Sequence, residues 1–449
     1  MLDDMSKINK QYRELVEDKF EKNRLSSIKS LDYIKKSSAR YHGGYIYSLY
    51  APKLFPESTV EYFRDAMDTI YSILTKIIKE YIEHEDYRKL FGFDKRLESL
   101  ILTDRLYDCF LPIARIDIFL NEQDLSFKFC EFNADGSSSM NEDRELNIAL
   151  MKTDAYIEMS KKYLLEPFEL FDSWVNEFTS IYATYKKRVT KPYIAIVDFL
   201  EKSSSIEEFE QFRKSFEKAG YESEICEIRN VRYINSTLYS PKGRKIDAIY
   251  RRAVTSDIMA DIDVVPDFIQ AVRDQNVCLV GSFCTQVIHN KIIFKILSDE
   301  RTSVFLDEKE REYIKTHIPH TVRLRRSECD ADEIVREKDK WIIKPDDSYG
   351  AKGVFAGINF SGDEWEKIIL ENINNNYLLQ EFQTPYKSAN IDFGLKNPGF
   401  ESYSNLTGLY MYNGKLKGIY SRLSKTKIIS DQYDENVIAS VIVKEKTCN

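Results

Sequence analysis

The stretch from Ile113 to Asp135 constrains the fold most, because its pattern suits one local structure. Leu125 to Phe129 alternates apolar and polar residues, which is the period-two signature of a β-strand. Ile113 to Phe119 reads as a preceding strand, and Asn121 to Asp124 is polar and turn-like. The spacing predicts an antiparallel hairpin. Residues i and i+2 of a strand point to the same side. Arg115 therefore shares a face with Asp117, and Glu131 shares one with Asn133. One arginine, two carboxylates and an amide converge there. Oxygen ligands beside an arginine suit Mg²⁺ on a polyphosphate, with the arginine neutralising charge that develops in transfer. Taken alone, the hairpin could equally present a solvated polar face with a surface salt bridge. The small residues that follow, Ala134 to Ser139, weigh toward a site, since they predict open space beside the acids.

At 449 residues the chain predicts two or three domains. Its 43% hydrophobic and 31% charged content is that of an ordinary soluble globular protein. With 73 acidic against 65 basic residues the formal charge is −8, which argues against a generally basic nucleic-acid-binding surface. Seven scattered cysteines form no CxxC pair, as in a reduced, cytoplasmic protein, and five histidines have no zinc spacing. The polar start, Met1 to Met5, predicts no signal peptide. No apolar run approaches the ~20 residues that cross a bilayer, so no membrane partner is expected.

Four segments are expected. Residues 1–105 read as a helical N-terminal region, with the stripe Val60, Phe63, Met67, Ile70, Ile73, Leu74 and Ile77 predicting a helix over 57–83. Residues 106–190 hold the hairpin and then a helical pattern from Glu142 to Tyr185. Residues 191–290 alternate strands (193–197, 223–228, 248–251, 277–280) with helix, including one over 206–219 capped by Ser203 to Ser205 and stopped by Gly220. That alternation predicts a small parallel α/β layer. Residues 291–449 begin helix-rich and then return to strands at 341–344, 353–358, 377–382, 406–412 and 415–422.

The last segment carries a second constellation. The strand Trp341–Pro345 ends in Lys344 and runs into a loop bearing Gly350, Lys352 and Gly353. Glycines let backbone N–H groups approach a phosphate closely, and the lysines supply point charge. The loop lacks the spacing of a Walker motif, and an ordinary turn with surface lysines would look the same. Gln380, Glu381 and Phe382 end a further strand, Lys291 follows Asn290 at a helix start, and Arg422 ends a late strand.

In this order the motifs resemble the glutathionylspermidine synthetase-like branch of the ATP-grasp superfamily in its circularly permuted form. They are Arg115-x-Asp117, Glu131-x-Asn133-Ala-Asp135, Asn290-Lys291, Lys344-Pro345 with Gly350 and Gly353, Gln380-Glu381, and Arg422. The resemblance spans residues 110 to 430. It implies an α/β (α+β) ATP-grasp fold with its metal-binding half first, and no upstream Cys/His amidase domain is visible. It further implies an ADP-forming carboxylate–amine ligase that works through an acyl phosphate, with ATP and Mg²⁺. Asp117, Glu131 and Asn133 would hold the metal. Arg115 and Arg422 would steady the transferring and acyl groups. Lys291 and Lys344 would hold phosphates under a lid containing Gly350, Lys352 and Gly353, with Gln380, Glu381 and Phe382 against adenine. Asp135, Ser137 and Ser138 would border the substrate, and Arg251 and Arg252 would meet its carboxylate. The partners implied are a small carboxylate and an amine: an amino acid, peptide, polyamine or carrier-bound group. A phosphotransferase and a non-catalytic nucleotide-binding protein stay open as alternatives.

Overall fold

A computed structural model of the protein describes residues 4–41, 43–203, 206–347, 352–429 and 434–446. The stripe at 57–83 forms the long helix Glu57–Glu83, whose Phe63, Met67, Ile70, Ile73, Leu74 and Ile77 are fully buried. They pack on one face of a six-stranded antiparallel sheet. Its order is Asn436–Ile438, Lys415–Ser424, Phe400–Tyr412, Ile113–Leu120 and Phe127–Asn133, with Lys387–Ile391 also paired to Phe400–Tyr412. Strand alternation sorts the two faces. Ile116, Ile118, Leu409, Met411 and Ile419 enter the core with the helix. Arg115, Asp117, Tyr410, Tyr420 and Arg422 alternate with them and take the opposite face.

The predicted hairpin forms, with two differences. Its register shifts between Asp117 and Ile118, which leaves Cys130 outside the pairing and turns Glu131 to the face opposite Phe129. Its second strand starts at Phe127, because Leu125 sits in the turn with φ +60°. Asp124 accepts the Ser126 N–H at 2.9 Å, and the Asn121 N–H bonds the Ser126 carbonyl at 2.8 Å.

A second sheet is parallel throughout, in the order Cys278–Val280, Ala248–Arg251, Ile194–Asp198, Ser223–Glu227. The helix Ile206–Lys218 precedes Gly220, whose φ of +88° is left-handed backbone that glycine adopts without strain. Two of its expected capping residues, Ser204 and Ser205, lie outside the described residues. A third sheet is antiparallel, in the order Thr321–Arg323, Tyr377–Glu381, Trp341–Pro345, Phe355–Ala356. Its core holds Trp365 and Ile369 from the helix Gly362–Asn372, which the sequence reading did not foresee. The strand expected over 353–358 is cut to Phe355–Ala356, because Gly357 turns in against the Lys338 carbonyl with no room for a Cβ.

A fourth sheet corrects two further expectations. Ser440–Glu445 runs parallel to Lys53–Pro56 and antiparallel to Tyr163–Pro167. The N-terminal region is therefore not wholly helical. The helical pattern of 142–185 is broken into Met140–Leu150, Asp154–Lys162 and Asp172–Thr184. Tyr163 and Leu165 alternate into the core, which favours strand over helix there. Among the described residues the cysteines are free, and no helix is long and apolar enough to cross a membrane.

Candidate active site

Register builds the site. Asp117 stands opposite Glu131 and Arg115 opposite Asn133, so the four side chains form two adjacent cross-strand pairs on one face. Asp117 is fully buried. It accepts hydrogen bonds from Arg115 Nε at 2.9 Å and Nη2 at 3.2 Å, from Asn133 Nδ2 at 3.2 Å, and from Arg422. Arg422 also lies 3.3 Å from Glu435. The two arginines thus reach one carboxylate, Arg115 from the same strand and Arg422 from across the strand that carries Gly408.

Gly408 makes this possible and was missed from the sequence. It pairs with Asp117, and a Cβ there would fall 2.8 Å from both Arg115 Cδ and Asp117 Oδ1. The available signal was a glycine inside a predicted strand, which marks close approach of another group. Two tyrosines were missed as well. The Tyr410 hydroxyl donates to the Ser138 carbonyl at 2.7 Å, which Arg115 Nη1 also reaches at 3.2 Å. The Tyr420 ring centre lies 5.4 Å from the Arg115 guanidinium and 5.7 Å from that of Arg422, within cation–π range.

Glu131 meets Lys291 Nζ at 2.9 Å. Burial works against its charge, but Lys291 and then Lys344 outweigh it and hold the carboxyl at about 2. Lys344 is oriented by Gln380, whose Oε1 accepts its proton at 2.9 Å while Nε2 donates to Thr321 Oγ1 at 3.0 Å. Gln380 is therefore buried among protein partners and steers a lysine, in contrast to the adenine contact expected of it. Glu381 is exposed. Phe382 packs on an apolar cluster of Ile342, Val354, Ala356 and Ile428.

Gly350 and its neighbours 348–351 lie outside the described residues. The ends of that loop are tethered: Asp346 pairs with Arg323 at 2.7 Å, and Asp347 accepts from Gln286 Nε2 at 2.8 Å. Gly353 has φ +71° and lies too close to the Tyr377 hydroxyl, 2.9 Å from its would-be Cβ, for a side chain. Lys352 lies within electrostatic reach of Asp257.

The five candidate substrate residues divide. Ser138 stays at the site through its carbonyl. Asp135 and Arg251 form an ion pair at 2.6 Å with both side chains 1% exposed, and Asp135 also accepts the Thr255 N–H at 2.6 Å. Arg252 pairs with Glu208 at 2.9 Å, also buried. Glu208 in turn accepts the Met140 and Asn141 N–H groups at 2.7 and 3.2 Å, two donors that the helix Met140–Leu150 leaves unused. Arg252 also donates to the Ser137 carbonyl, and Ser137 Oγ bonds the Asn133 carbonyl. These groups fasten the parallel sheet to the loop after the hairpin, with Arg251 engaged through Nε, Nη1 and Nη2 and Arg252 through Nη1 and Nη2, all inside the protein. The small residues there serve close packing as well: a Cβ at Gly136, φ +65°, would lie 2.7 Å from Val254 Cγ1.

Four cations, Arg115, Arg422, Lys291 and Lys344, border three carboxylates, Asp117, Glu131 and Glu435. The donor set fits a hard divalent cation accompanied by an anion: two carboxylates and an amide, with no thiol or imidazole among them. Among the described residues no three His, Cys, Asp or Glu side chains cluster closely enough to hold a metal ion. The third oxygen would come from Asn133, whose amide nitrogen is the end turned to Asp117.

No protein-family model matches the chain, and no curated protein matches it in sequence. Solved structures do. A glutathione synthetase-like effector (GSS30) from Globodera pallida superposes with a TM-score of 0.58 at 12% identity, over 92% of this chain and 96% of that one. The chain thus has a glutathione synthetase-like fold. A protein assigned as a gamma-glutamylcysteine synthetase from Methylobacillus flagellatus gives 0.39 at 10% identity over 84% and 87% of the two chains. The D-cycloserine synthetase DcsG gives 0.28 at 11% over 57% and 92%. Both are too distant to bear on the fold.

Proposed function

We propose that this chain is an ATP-dependent carboxylate–amine ligase of circularly permuted ATP-grasp type, akin to the glutathionylspermidine synthetase-like branch. In this reading 106–190 is its metal-binding half and 291–449 its nucleotide-gripping half. The observation that carries it is the convergence of Arg115, Asp117, Glu131 and Asn133 with Arg422, Lys291 and Lys344, cations drawn from three separate elements. The fold shared with the Globodera effector supports it.

Lys291 and Lys344 bind the nucleotide phosphates, and the apolar cluster around Phe382 faces the base. Asp117, Glu131 and the Asn133 amide oxygen would hold Mg²⁺, which when bound would supply neutralisation of phosphate charge. Arg115 and Arg422 hold the charge that builds as the γ-phosphoryl group passes to a substrate carboxylate. Residues 346–353 exclude water from the resulting acyl phosphate, which would otherwise hydrolyse. An amine then displaces phosphate to give the amide. Both substrates are small molecules or one is carrier-borne, and the reaction belongs to a reducing, cytoplasmic setting.

Calorimetry with ATP, with and without Mg²⁺, is the first test, and absence of binding at millimolar ATP would remove the reading. ADP release is then screened over paired acids and amines, with products read by mass spectrometry. Release that needs both partners and yields an amide supports the ligase. Release without an amide would turn the assignment to a phosphotransferase.

A further inference from the structure

The first turn of the helix Met140–Leu150 lays Glu142 against the same sheet face. Glu142 is 8% exposed, and its Oε2 accepts the Tyr420 hydroxyl at 2.5 Å. Its other oxygen has no hydrogen-bond partner among the described residues. Its buried neighbour Asp143 has no cation either, but both its oxygens are engaged, by the Ser440 N–H and by Asn147 Nδ2, at 3.1 Å each. The other acids around it are matched by cations: Asp117 by Arg115 and Arg422, Glu131 by Lys291, Glu435 by Arg422, Asp135 by Arg251, and Glu208 by Arg252. Glu142 has none. A largely buried carboxylate with no ion pair and one oxygen open is costly unless something arrives to complete it. Arg422 Nε, buried and also without an acceptor among the described residues, leaves a matching gap for an anion nearby. The Tyr420 ring spans the two, with its hydroxyl on Glu142 and its face toward Arg115 and Arg422.

We propose that Glu142 receives the ammonium group of the acceptor substrate and takes a proton from it as the amide forms. This rests on the ligase reading above. The protons balance. An R–NH₃⁺ donor loses two. One passes to the Glu142 carboxylate, freeing the nitrogen lone pair to attack the acyl carbon. The C–O bond to phosphate breaks with its electron pair, and the second proton leaves on the phosphate as HPO₄²⁻.

The surroundings suit that exchange. Burial pushes the Glu142 carboxyl up to about 7. The Tyr420 hydroxyl opposes this, Glu435 and Glu208 add to it, and Arg115 opposes it. Asp143 and Tyr410 are the remaining titratable neighbours. A carboxyl poised near neutrality can both hold and release a proton.

The test has two arms. In ¹³C-carboxyl spectra the Glu142 signal is assigned by its loss in Glu142→Gln, and its titration is followed in methylammonium chloride and in tetramethylammonium chloride. The midpoint should fall in methylammonium, which can donate to the open oxygen, and hold in tetramethylammonium. Equal midpoints in the two salts would overturn the proposal. Tyr420→Phe keeps the carboxylate and should raise the midpoint. The second arm uses the acid found by the ADP-release screen. The ratio of amide from an alkylamine to hydroxamate from hydroxylamine, which is neutral near pH 7, should drop about 10²-fold in Glu142→Gln. An unchanged ratio would also overturn it. Mg-ATP binding by the same variant, measured by calorimetry, keeps failure of this proposal distinct from failure of the ligase reading.

Discussion

Replacing Gly408 by alanine tests the geometry of the site most directly. The added Cβ would meet Arg115 Cδ and Asp117 Oδ1 at 2.8 Å. Each would have to retreat by roughly 0.6 Å to reach ordinary van der Waals separation. Neither can do so cheaply. Arg115 is pinned at its far end by Asp117 and the Ser138 carbonyl, and Asp117 is held between two arginines. Overpacking of this kind costs about 1–3 kcal/mol, while alanine regains about 0.5–1 kcal/mol over glycine in a strand, leaving a net loss of up to about 2.5 kcal/mol, centred on about 1 kcal/mol. That lowers the melting temperature by a few degrees in a unit of this size. The functional loss should be larger, because in the proposed ligase Asp117 would hold the metal and Arg115 the transferring phosphoryl group. Scanning calorimetry gives the first quantity and titration with Mg-ATP the second. A Gly408→Ala protein that melts and binds Mg-ATP like the wild type would refute the reasoning, since the close approach of Arg115 and Asp117 over this strand could not then be real.

Three further outcomes are expected. Glu131→Gln keeps its shape but removes an anion from the site, so turnover should fall about 10²-fold or more with the fold intact. Because the Glu131 carboxyl is held at about 2, below its ordinary 4.5, it stabilises the fold above pH 4.5 and loses that effect as pH falls toward 2. The stability gap between wild type and variant should narrow across that window in acid-unfolding curves. Asp143 is the opposite case. Burial raises it from 3.8 to about 8, so the unfolded chain gives up its proton first and stability drains as pH rises between those values. Asp143→Asn should raise the melting temperature most above this window and least below it. Arg252→Met strands Glu208 inside the protein and should cost about 3–5 kcal/mol, seen as lost soluble yield or a lower melting temperature. A variant as stable as wild type would show that the buried pair holds nothing together.

Much of the local structure is written in local pattern. Period-two alternation puts Arg115 with Asp117 on one face of their strand and Glu131 with Asn133 on one face of theirs, because the pleat fixes where neighbouring side chains point; that the two pairs share a face depends on the register shift between Asp117 and Ile118, which pattern alone does not show. The 3.6-residue stripe from Val60 to Ile77 does the same for the long helix. Where pattern and pairing disagreed, pairing won. Tyr163–Pro167 reads as the middle of a helical run but becomes a strand, because Ser440–Glu445 offers it a ladder from the far end of the chain.

What the sequence by itself determined is the set of chemical groups and the face each occupies on its own strand or helix. What only the tertiary structure decided is which of them meet. Gln380 looked like a ligand contact and is instead the anchor of Lys344. Arg251 and Arg252 looked like substrate arginines, yet Asp135 and Glu208, distant in sequence, pair with them inside the protein. Gly408, Tyr420 and Glu142 carried no motif, and they join the site only because the strand Phe400–Tyr412 pairs with Ile113–Leu120 across most of the chain's length. The physical reason is range. Backbone sterics act over a few residues and leave a periodic mark in the sequence, whereas an ion pair or a missing Cβ depends on a partner whose position is set only when the sheets assemble.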